Sequence, residues 1–310
     1  MPERGAGRDG ASDAPRISVI IPTRARPEDV ARCVASVLAC EHDSFEVIVV
    51  DQSDATSPIS DDSRVVHVQT PTRGKSAGLN VGIAAARADL LAFTDDDCTV
   101  SHDWLTRIDD LFTRMPEVEM AFGVVLPVEF DLSEAWVPEW QIAEFEIVHR
   151  VRRGQARGGA GGNMAARRTM FEAIGPWDEQ IGPGSRFKSC EEGDIIFRAL
   201  TGGHTLARVP DLTVTHWEVK LWADGSGRAL KQSYAYGRGA VIGKHLRLGD
   251  RHMVPIAARE LVEDLWLVAR GVAHPRGSGI GQLPYKWRGV AEALSTPVDR
   301  PRRLFADVGS

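Results

Sequence analysis

Short apolar runs alternate with helix-forming stretches through the first hundred residues, and this alternation limits the folds open to the chain. Four apolar runs, the first three of them rich in β-branched residues, stop at polar or turn-forming residues: 16–21, 45–50, 65–68 and 90–93. Helical stretches lie between them, one beginning at Pro27 and another over residues 76–87. The pattern predicts βαβ units and therefore an α/β fold, with a mostly parallel sheet flanked by helices.

The polar residues that follow these strands are expected at one edge of the sheet. Pro22 and Thr23 follow the first strand, Asp51 follows the second, and three aspartates at 95–97 follow the fourth. Ligands of open α/β sheets bind outside the carboxyl ends of the strands, so this edge is the predicted site. The sequence has no GxGxxG after the first strand and no GxxxxGK[ST], so neither a dinucleotide dehydrogenase nor a P-loop NTPase is supported.

Three consecutive carboxylates at a strand end repel one another, and a divalent cation with oxygen ligands would offset that repulsion. Mg²⁺ or Mn²⁺ is the expected ion. The alternative is a solvated acidic turn ahead of a helix that starts near residues 102–104, because helix N-termini attract negative charge. These residues alone leave both interpretations open.

A second group of candidate residues lies further along the chain. The glycine-rich segment 158–162 permits close approach of the backbone to a ligand, and Asn163 follows it. Glu191, Glu192 and Asp194 open a predicted helix. Capping of a helix N-terminus accounts for one acid at such a place but not for three, so this group is a candidate site.

Composition limits the class of protein. The chain has 310 residues, of which 43% are hydrophobic and 26% charged, as in an ordinary soluble globular protein of two domains or one large one. Residues 1–218 hold 22 basic and 35 acidic residues, whereas residues 219–310 hold 15 and 8. The basic third suits an anionic lipid surface or a phosphorylated acceptor, or is a solvated face of mixed charge.

Cysteine content and the N-terminus bear on location. The four cysteines form no CxxC pair and are too sparse for a disulfide scaffold, which predicts reduced thiols in a cytosol, and the excess of arginine over lysine suggests a bacterial source. Residues 1–15 are polar and glycine-rich, which predicts a disordered tail rather than a signal peptide. No apolar run is long enough for a transmembrane helix, so membrane contact is expected only as peripheral contact, on the inner face.

The C-terminal third contains an apolar stripe at helical spacing, formed by Ala257, Leu261, Leu265, Val268 and Val272. Charged residues fall on the opposite side of the same stretch. The spacing predicts an amphipathic helix. Packing on the catalytic domain, formation of a homodimer and binding to a membrane surface are the three uses left open.

Taken in order, five segments resemble the family 2 glycosyltransferases, inverting enzymes of the GT-A fold that use nucleotide-diphosphate sugars. The segments are VIIPTRARPEDVARCVASVLA, FEVIVVDQSDAT, GKSAGLNVGIAAARADLLAFTDDDCTVSHDWL, GGNMAARRTMFEAIGPWDEQIG, and CEEGDIIFRAL followed by VPDLTVTHW. The resemblance implies a GT-A catalytic domain over residues 16–218. Its nucleotide-binding half would be 16–100 and its acceptor-binding half 101–218, with a mainly helical region over 219–310.

The same resemblance assigns residues to the donor and the metal. Pro22, Thr23 and Asp51 would lie against the base and ribose of a UDP-, dTDP- or GDP-sugar. Further donor contacts are implied for Arg24, Lys75, Asn80, Asp95 and Asp96. Asp97 is implied as the direct ligand of Mg²⁺ or Mn²⁺, Asp95 as a residue that orients ribose or a metal-bound water, and His216 as a further metal or phosphate contact.

The family pattern E-D-x-D-L-x-x-R aligns with residues 191–198 and places Glu192 where the catalytic base is usually Asp. Glu191 and Asp194 are the alternative bases. A carboxylate there would remove the proton of the acceptor hydroxyl, and a helix N-terminus would favour its ionised form.

Contacts with the sugar or acceptor are implied for Asn163, Arg198 and Trp177. For Trp177, stacking beneath the sugar and packing in the core are both open.

The sequence therefore predicts a metal-dependent inverting glycosyltransferase that moves a sugar to a hydroxyl of a glycan, a lipid or a small metabolite. One alternative is a sugar-phosphate nucleotidyltransferase, whose glycine-rich opening is missing after Ile21. The other is a non-catalytic nucleotide-sugar-binding protein. Nucleic acid is not an expected partner.

Overall fold

The computed structural model describes residues 14–55, 59–151, 158–271 and 279–306. Its strands are β1 (Ile17–Thr23), β2 (Phe45–Asp51), β3 (Val65–Gln69), β4 (Leu90–Phe93), β5 (Cys98–Val100), β6 (Met120–Pro127), β7 (Ala135–Trp136), β8 (Glu146–Val148), β9 (Met164–Arg167), β10 (Leu206–His216), β11 (Lys220–Leu221), β12 (Val298–Asp299) and β13 (Leu304–Phe305). Its α-helices are α1 (Pro27–Leu38), α2 (Lys75–Ala85), α3 (Trp104–Arg114), α4 (Arg168–Ile174), α5 (Glu191–Thr201), α6 (Ser226–Leu248), α7 (Met253–Ala269) and α8 (Leu283–Ser295), and a short 3₁₀-helix spans Ile280–Gln282.

Nine of the described strands form a single mixed sheet in the order β3-β2-β1-β4-β9-β6-β10-β5, with β8 pairing with β10. Strands β3, β2, β1 and β4 run parallel, and β9 runs antiparallel between β4 and β6. In this register Thr23 at the end of β1 lies beside Asp51 at the end of β2. The predicted α/β fold with a mostly parallel sheet is confirmed, and the polar strand ends meet at one edge as expected.

The first two strands are buried along their whole length because helices cover both faces of the sheet. Alternate residues of β1 belong to different layers: Ile17, Val19 and Ile21 pack with α1, whereas Ile20 packs with Leu79 of α2. This two-sided burial explains why the strands read in sequence as continuous apolar runs rather than as alternating ones.

The predicted elements of the first half appear close to their expected bounds, and the helices predicted near residue 104, from Glu191 and through Leu261 are present as α3, α5 and α7. Residues 1–13 of the predicted tail, and Val272 of the predicted apolar stripe, lie outside the described residues. The four cysteines are free thiols.

A cluster of buried charges joins α5 to the C-terminal helices. Asp194 accepts hydrogen bonds from Arg198 Nε at 2.8 Å and from Lys244 Nζ at 2.6 Å, and its Oδ1 lies 2.9 Å from His245 Nε2. Lys244 also contacts Asp178 at 2.8 Å. Burial opposes ionisation, but these cations hold the pKa of Asp194 well below its usual range, so it is a carboxylate in the folded chain.

We predict that Lys244→Met lowers the free energy of unfolding by about 3–5 kcal/mol, because it leaves two buried carboxylates short of a cation. Urea unfolding followed by circular dichroism measures this. The control is Arg114→Met, which removes an exposed ion pair with Asp110 and should cost less than about 1 kcal/mol. Equal stability of the two variants would show that the cluster does not tie α6 to the sheet.

Candidate active site

A cavity of about 1450 Å³ opens at the carboxyl edge of the parallel strands. The end of β1, the segment after β4, the N-terminus of α5 and the end of β10 all supply side chains to it. Among the predicted site residues its walls contain Pro22, Thr23, Arg24, Lys75, Asp95, Asp96, Asp97, Glu191, Glu192 and His216. The fold thus brings together Lys75 and Glu191, which are 116 positions apart in sequence, and Asp97 and His216, which are 119 apart.

Arg26 offsets the negative charge of the aspartates on one side of the cavity. Its guanidinium lies 3.2 Å from Asp96, 2.9 Å from Asp97 and 3.0 Å from Glu218. Thr23 Oγ1 donates to the other oxygen of Asp96 at 2.8 Å. Burial, followed by the charge of Asp97, still raises the pKa of Asp96 to about 6, so the region remains deficient in positive charge.

Asp97 uses its two oxygens differently. Oδ2 accepts from Arg26, while Oδ1 lies 3.5 Å from His216 Nε2. The ligand atoms of Asp97, His216 and Cys98 lie within 4.8 Å of one another, and His216 Nδ1 is buried with no hydrogen-bond partner among the described residues. Burial raises the pKa of the Cys98 thiol well above its usual range, so it is a poor ligand.

These donors fit a divalent cation of the magnesium or manganese type. A carboxylate oxygen and an imidazole nitrogen are suitable ligands for such an ion, especially Mn²⁺. Burial and the charge of Asp95 raise the pKa of Asp97 although His216 opposes this, and an added cation would offset that cost. Asp97 and His216 are therefore the residues that would hold the ion.

Lys75 offsets the negative charge on the other side of the cavity. Its Nζ lies 2.5 Å from Asp95 and 3.2 Å from Glu191, so it links the segment after β4 to the first turn of α5. The glycine-rich segment packs directly against this pair: a Cβ on Gly162 would lie 2.9 Å from Asp95 Oδ2. Asp95 and Glu191 are therefore held by Lys75.

Glu192 differs from its neighbours because it forms no ion pair with any described residue. Burial, followed by the charge of Glu191, raises its pKa to about 8, and Lys75 only partly opposes this. The expectation that the helix N-terminus keeps Glu192 ionised is wrong for the ligand-free protein, because desolvation outweighs the helix dipole. An uncompensated carboxyl of raised pKa that faces a cavity is a candidate proton acceptor.

Several predicted site residues lie away from the cavity. Asp194 is buried beneath Arg198, Lys244 and His245 and cannot reach an acceptor. Arg198 is also buried, and besides Asp194 it binds the carbonyls of residues 174–176. The structure therefore corrects both assignments: these residues hold the first turn of α5 and the chain before it in place.

Asn163 and Trp177 are likewise interior residues rather than sugar contacts. Asn163 accepts from Trp104 Nε1 at 2.9 Å and donates to two strand carbonyls, so its amide is fully used. Trp177 is buried against Phe93 and Phe171, which favours the core-packing alternative.

Two predicted donor contacts also have internal partners. Asn80 Nδ2 donates a hydrogen bond to the carbonyl of Trp177, and Asn80 Oδ1 accepts one from the backbone N–H of Trp177. Asp51 accepts from the Ser53 amide at 2.8 Å and contacts His67 at 3.2 Å, and it is buried behind the cavity wall. Their roles toward a nucleotide stay predictions.

The sequence interpretation missed some cavity residues. Arg26 and Glu218 pair with each other across the aspartates, although 192 positions separate them. Ala25 has a φ of 55°, so the chain turns sharply between β1 and α1 before Arg26. The rings of Trp136 and Tyr234 meet edge to face at 5.8 Å on the far wall. The RAR sequence after β1 was a visible signal for a cation, whereas nothing local indicated that Trp136 packs against Tyr234.

Comparison with known proteins gives a family. A sequence model described as Glycosyl transferase family 2 matches residues 18–175. A glucosyl-dolichyl phosphate glucuronosyltransferase of Haloferax volcanii is 26% identical over 59% of this chain and 63% of its own length. Glycosyltransferase AglE of the same organism is 25% identical over 74% of each chain. A pre-mycofactocin glycosyltransferase of Mycobacterium tuberculosis is 25% identical over 64% of this chain but only 42% of its own.

Solved structures give the fold. The mannosyltransferase PcManGT from Pyrobaculum calidifontis, in complex with GDP-Man and Mn²⁺, has a TM-score of 0.56 and 17% identity over 91% of this chain and 88% of that one. TarS 1-349 of S. aureus in complex with UDP-GlcNAc has a TM-score of 0.53 and 17% identity over 66% and 58%. These likenesses confirm the predicted GT-A fold.

We predict that Glu192→Gln stabilises the protein in a pH-dependent way. A carboxyl whose pKa rises from about 4.3 on folding destabilises the folded state once pH exceeds the lower value, and the penalty is complete above the folded pKa of about 8. Glutamine carries no such penalty. The melting temperature of the variant should therefore exceed that of the wild type at pH 9 and match it near pH 4.

The control for this comparison is Glu172→Gln, which changes an exposed carboxylate on α4. Its melting temperature should follow the wild type at each pH. If the difference in melting temperature between Glu192→Gln and the wild type is the same at pH 4 and pH 9, the raised pKa of Glu192 is contradicted.

Proposed function

The chain belongs to glycosyl transferase family 2, and we propose that it moves a sugar from a nucleotide-diphosphate donor to an acceptor hydroxyl by single displacement, with inversion. One observation carries this proposal: Glu192, which forms no ion pair with a described residue, and the Asp97–His216 pair line the same cavity at the edge of the sheet. A proton acceptor and a cation-binding pair are the two functions that such a displacement needs.

The donor is proposed to lie along the ends of β1 and β4. Thr23 and Gln52 line this part of the cavity beside Arg24, and Lys75 supplies positive charge near Asp95. We propose a UDP-, dTDP- or GDP-sugar, with Asp51 and Asn80 reaching it only if their internal hydrogen bonds are exchanged. The nucleotide sugars bound by the structurally similar TarS and PcManGT support this class of donor.

Glu192 is proposed as the base. When ionised, it would accept the proton of the acceptor hydroxyl as the oxygen attacks the anomeric carbon and the bond to the nucleoside diphosphate breaks. Because burial raises the pKa of Glu192 to about 8, this pKa lies close to neutral pH, where a general base is most effective. Glu191 is less suited, since Lys75 already binds it at 3.2 Å.

Asp97 and His216 are proposed to hold Mg²⁺ or Mn²⁺. When bound, the ion would neutralise the negative charge that collects on the leaving diphosphate. Arg26 keeps Asp97 Oδ2 in place, so that Oδ1 faces His216. Lys75 adds a fixed positive charge on the opposite wall.

The acceptor side is proposed to lie between α5 and the aromatic pair Trp136–Tyr234, which offers flat apolar surface for a sugar ring. The acceptor is proposed to be a hydroxyl of a glycan, a lipid or a small metabolite, and nucleic acid is not proposed as a partner. A cytoplasmic location, with peripheral contact at the inner membrane face, stays a prediction, as does a homodimer.

A donor screen tests the function directly. The purified chain is incubated with Mn²⁺ or Mg²⁺ and a panel of nucleotide sugars, and both nucleoside diphosphate release and thermal stabilisation are measured. Metal-dependent stabilisation with slow release from one donor supports the proposal and identifies the sugar. Stabilisation without any release, with every acceptor class supplied, would indicate a binding protein instead.

We predict that Glu192→Gln lowers transfer by about 10²–10⁴-fold while the dissociation constant for the donor changes little, because the amide cannot accept the proton. Initial rates and donor titration measure the two quantities. Glu172→Gln should retain full activity. Wild-type transfer by Glu192→Gln would place the base elsewhere.

We predict that His216→Ala raises the Mn²⁺ concentration needed for half-maximal donor stabilisation by about tenfold, because one of two protein ligands is lost. Thermal shift at increasing Mn²⁺, with donor present, measures this without turnover. The matched control is His42→Ala, since His42 pairs with Asp109 away from the cavity. Unchanged Mn²⁺ dependence in His216→Ala would exclude this histidine as a ligand.

A further inference from the structure

Helix α7 presents most of its large apolar residues to solvent and two of its acidic residues to the protein. Glu260 and Asp264 are buried, whereas six large apolar side chains are between 45% and 65% exposed: Val254, Leu261, Val262, Leu265, Trp266 and Val268. Of the described members of the predicted stripe, Ala257 packs against the C-terminal core as expected, whereas the same expectation is wrong for Leu261, Leu265 and Val268, which are exposed. Single exposed leucines are ordinary, but a whole helix face of them is not.

Ion pairs with α6 and α8 fix this orientation. Lys286 Nζ lies 3.1 Å from Glu260 and 2.5 Å from Asp264, and Trp287 Nε1 donates to Asp264 at 2.9 Å. Arg238 of α6 also pairs with Glu260. A rotation of α7 that buried its leucines would separate these charges, so the apolar face cannot turn inward without cost.

The exposed face is continuous. At 100° per residue the apolar side chains, with Pro255, Ala258 and Ala269 between them, occupy roughly 160° of the helix surface. Arg259 and Glu263 border this arc and pair with each other at 2.6 Å. A helix with a wide apolar arc bordered by charge is suited to lie in the plane of a lipid interface.

The charges around the face favour an anionic surface. Arg251 precedes the helix and is exposed, and Arg270 follows it and lies 4.6 Å above the ring of Trp266. Because Arg259 and Glu263 pair with each other, the net positive charge beside the apolar face comes from Arg251 and Arg270. Tryptophan beside arginine at the edge of an apolar face matches the depth at which both residues sit in a bilayer.

We propose that the exposed face of α7 is a docking surface for a lipid bilayer that carries anionic headgroups. No helix in the described parts of the chain has the length and apolar character to cross a bilayer, so the contact would be peripheral. Ile256 and Leu267, on the inner side of α7, line the same cavity as Glu192. Docking would therefore hold that cavity next to the membrane surface.

Vesicle sedimentation of the full chain tests this without any turnover. Vesicles of phosphatidylcholine with phosphatidylglycerol should bind the protein at least tenfold more strongly than phosphatidylcholine alone, and added salt should weaken the binding. Leu265→Glu should lower binding at least tenfold. The matched control is Leu132→Glu, an equally exposed leucine outside α7, which should bind as the wild type does.

A second measurement locates the contact. Quenching of tryptophan fluorescence by brominated lipid should occur in the wild type and be lost in Trp266→Phe, and Arg251→Gln with Arg270→Gln should remove the preference for anionic vesicles. Equal vesicle binding by Leu265→Glu and the wild type, or no vesicle binding at all, would overturn the proposal. A concentration-dependent dimer that Leu265→Glu disrupts would assign the face to a second copy of the chain and also overturn it.

Discussion

Repulsion among carboxylates is the constraint on which the site depends. Six of the acids that line the cavity lie close to the sheet edge and the start of α5: Asp95, Asp96, Asp97, Glu191, Glu192 and Glu218. Arg26 and Lys75 bind five of them, and each does so by joining chain segments that lie far apart in sequence. Glu192 is left without a salt bridge to a described residue, and burial, followed by the charge of Glu191, raises its pKa to about 8. The carboxyl without a salt bridge is the one that we propose as the proton acceptor.

Such a group is useful only if it is held still, and the buried cluster around Asp194 achieves this. Arg198 ties the first turn of α5 to the carbonyls before it, while Lys244 and His245 tie the same turn to α6. Buried ion pairs add little net stability compared with apolar packing, but they specify one arrangement strongly, since every alternative strands a charge. The N-terminus of α5, and with it Glu192, is thereby fixed relative to the sheet edge.

The sequence predicted what depends on short-range pattern. The strand and helix order of the first half, and the meeting of Thr23, Asp51 and Asp95 at one edge, follow from apolar runs and parallel topology. It failed where the deciding partner is distant. Asp194 matched a catalytic motif, but its partners Lys244 and His245 lie about fifty residues away in sequence. The pattern showed that Leu261 and Leu265 share a helix face, but not that the face points outward, because Lys286 decides this from α8.

Helix α7 uses the same physics for a different purpose. Burying Glu260 and Asp264 costs desolvation that only Lys286 and Arg238 can offset, so the ion pairs act as a rotational lock. The hydrophobic effect alone would select the opposite rotation. Ion pairs that hold apolar side chains in contact with water support the proposal that a lipid surface covers this face when the protein acts. Because Ile256 and Leu267 on the inner side of α7 line the same cavity as Glu192, the same ion pairs set both the exposed face and one wall of the candidate site.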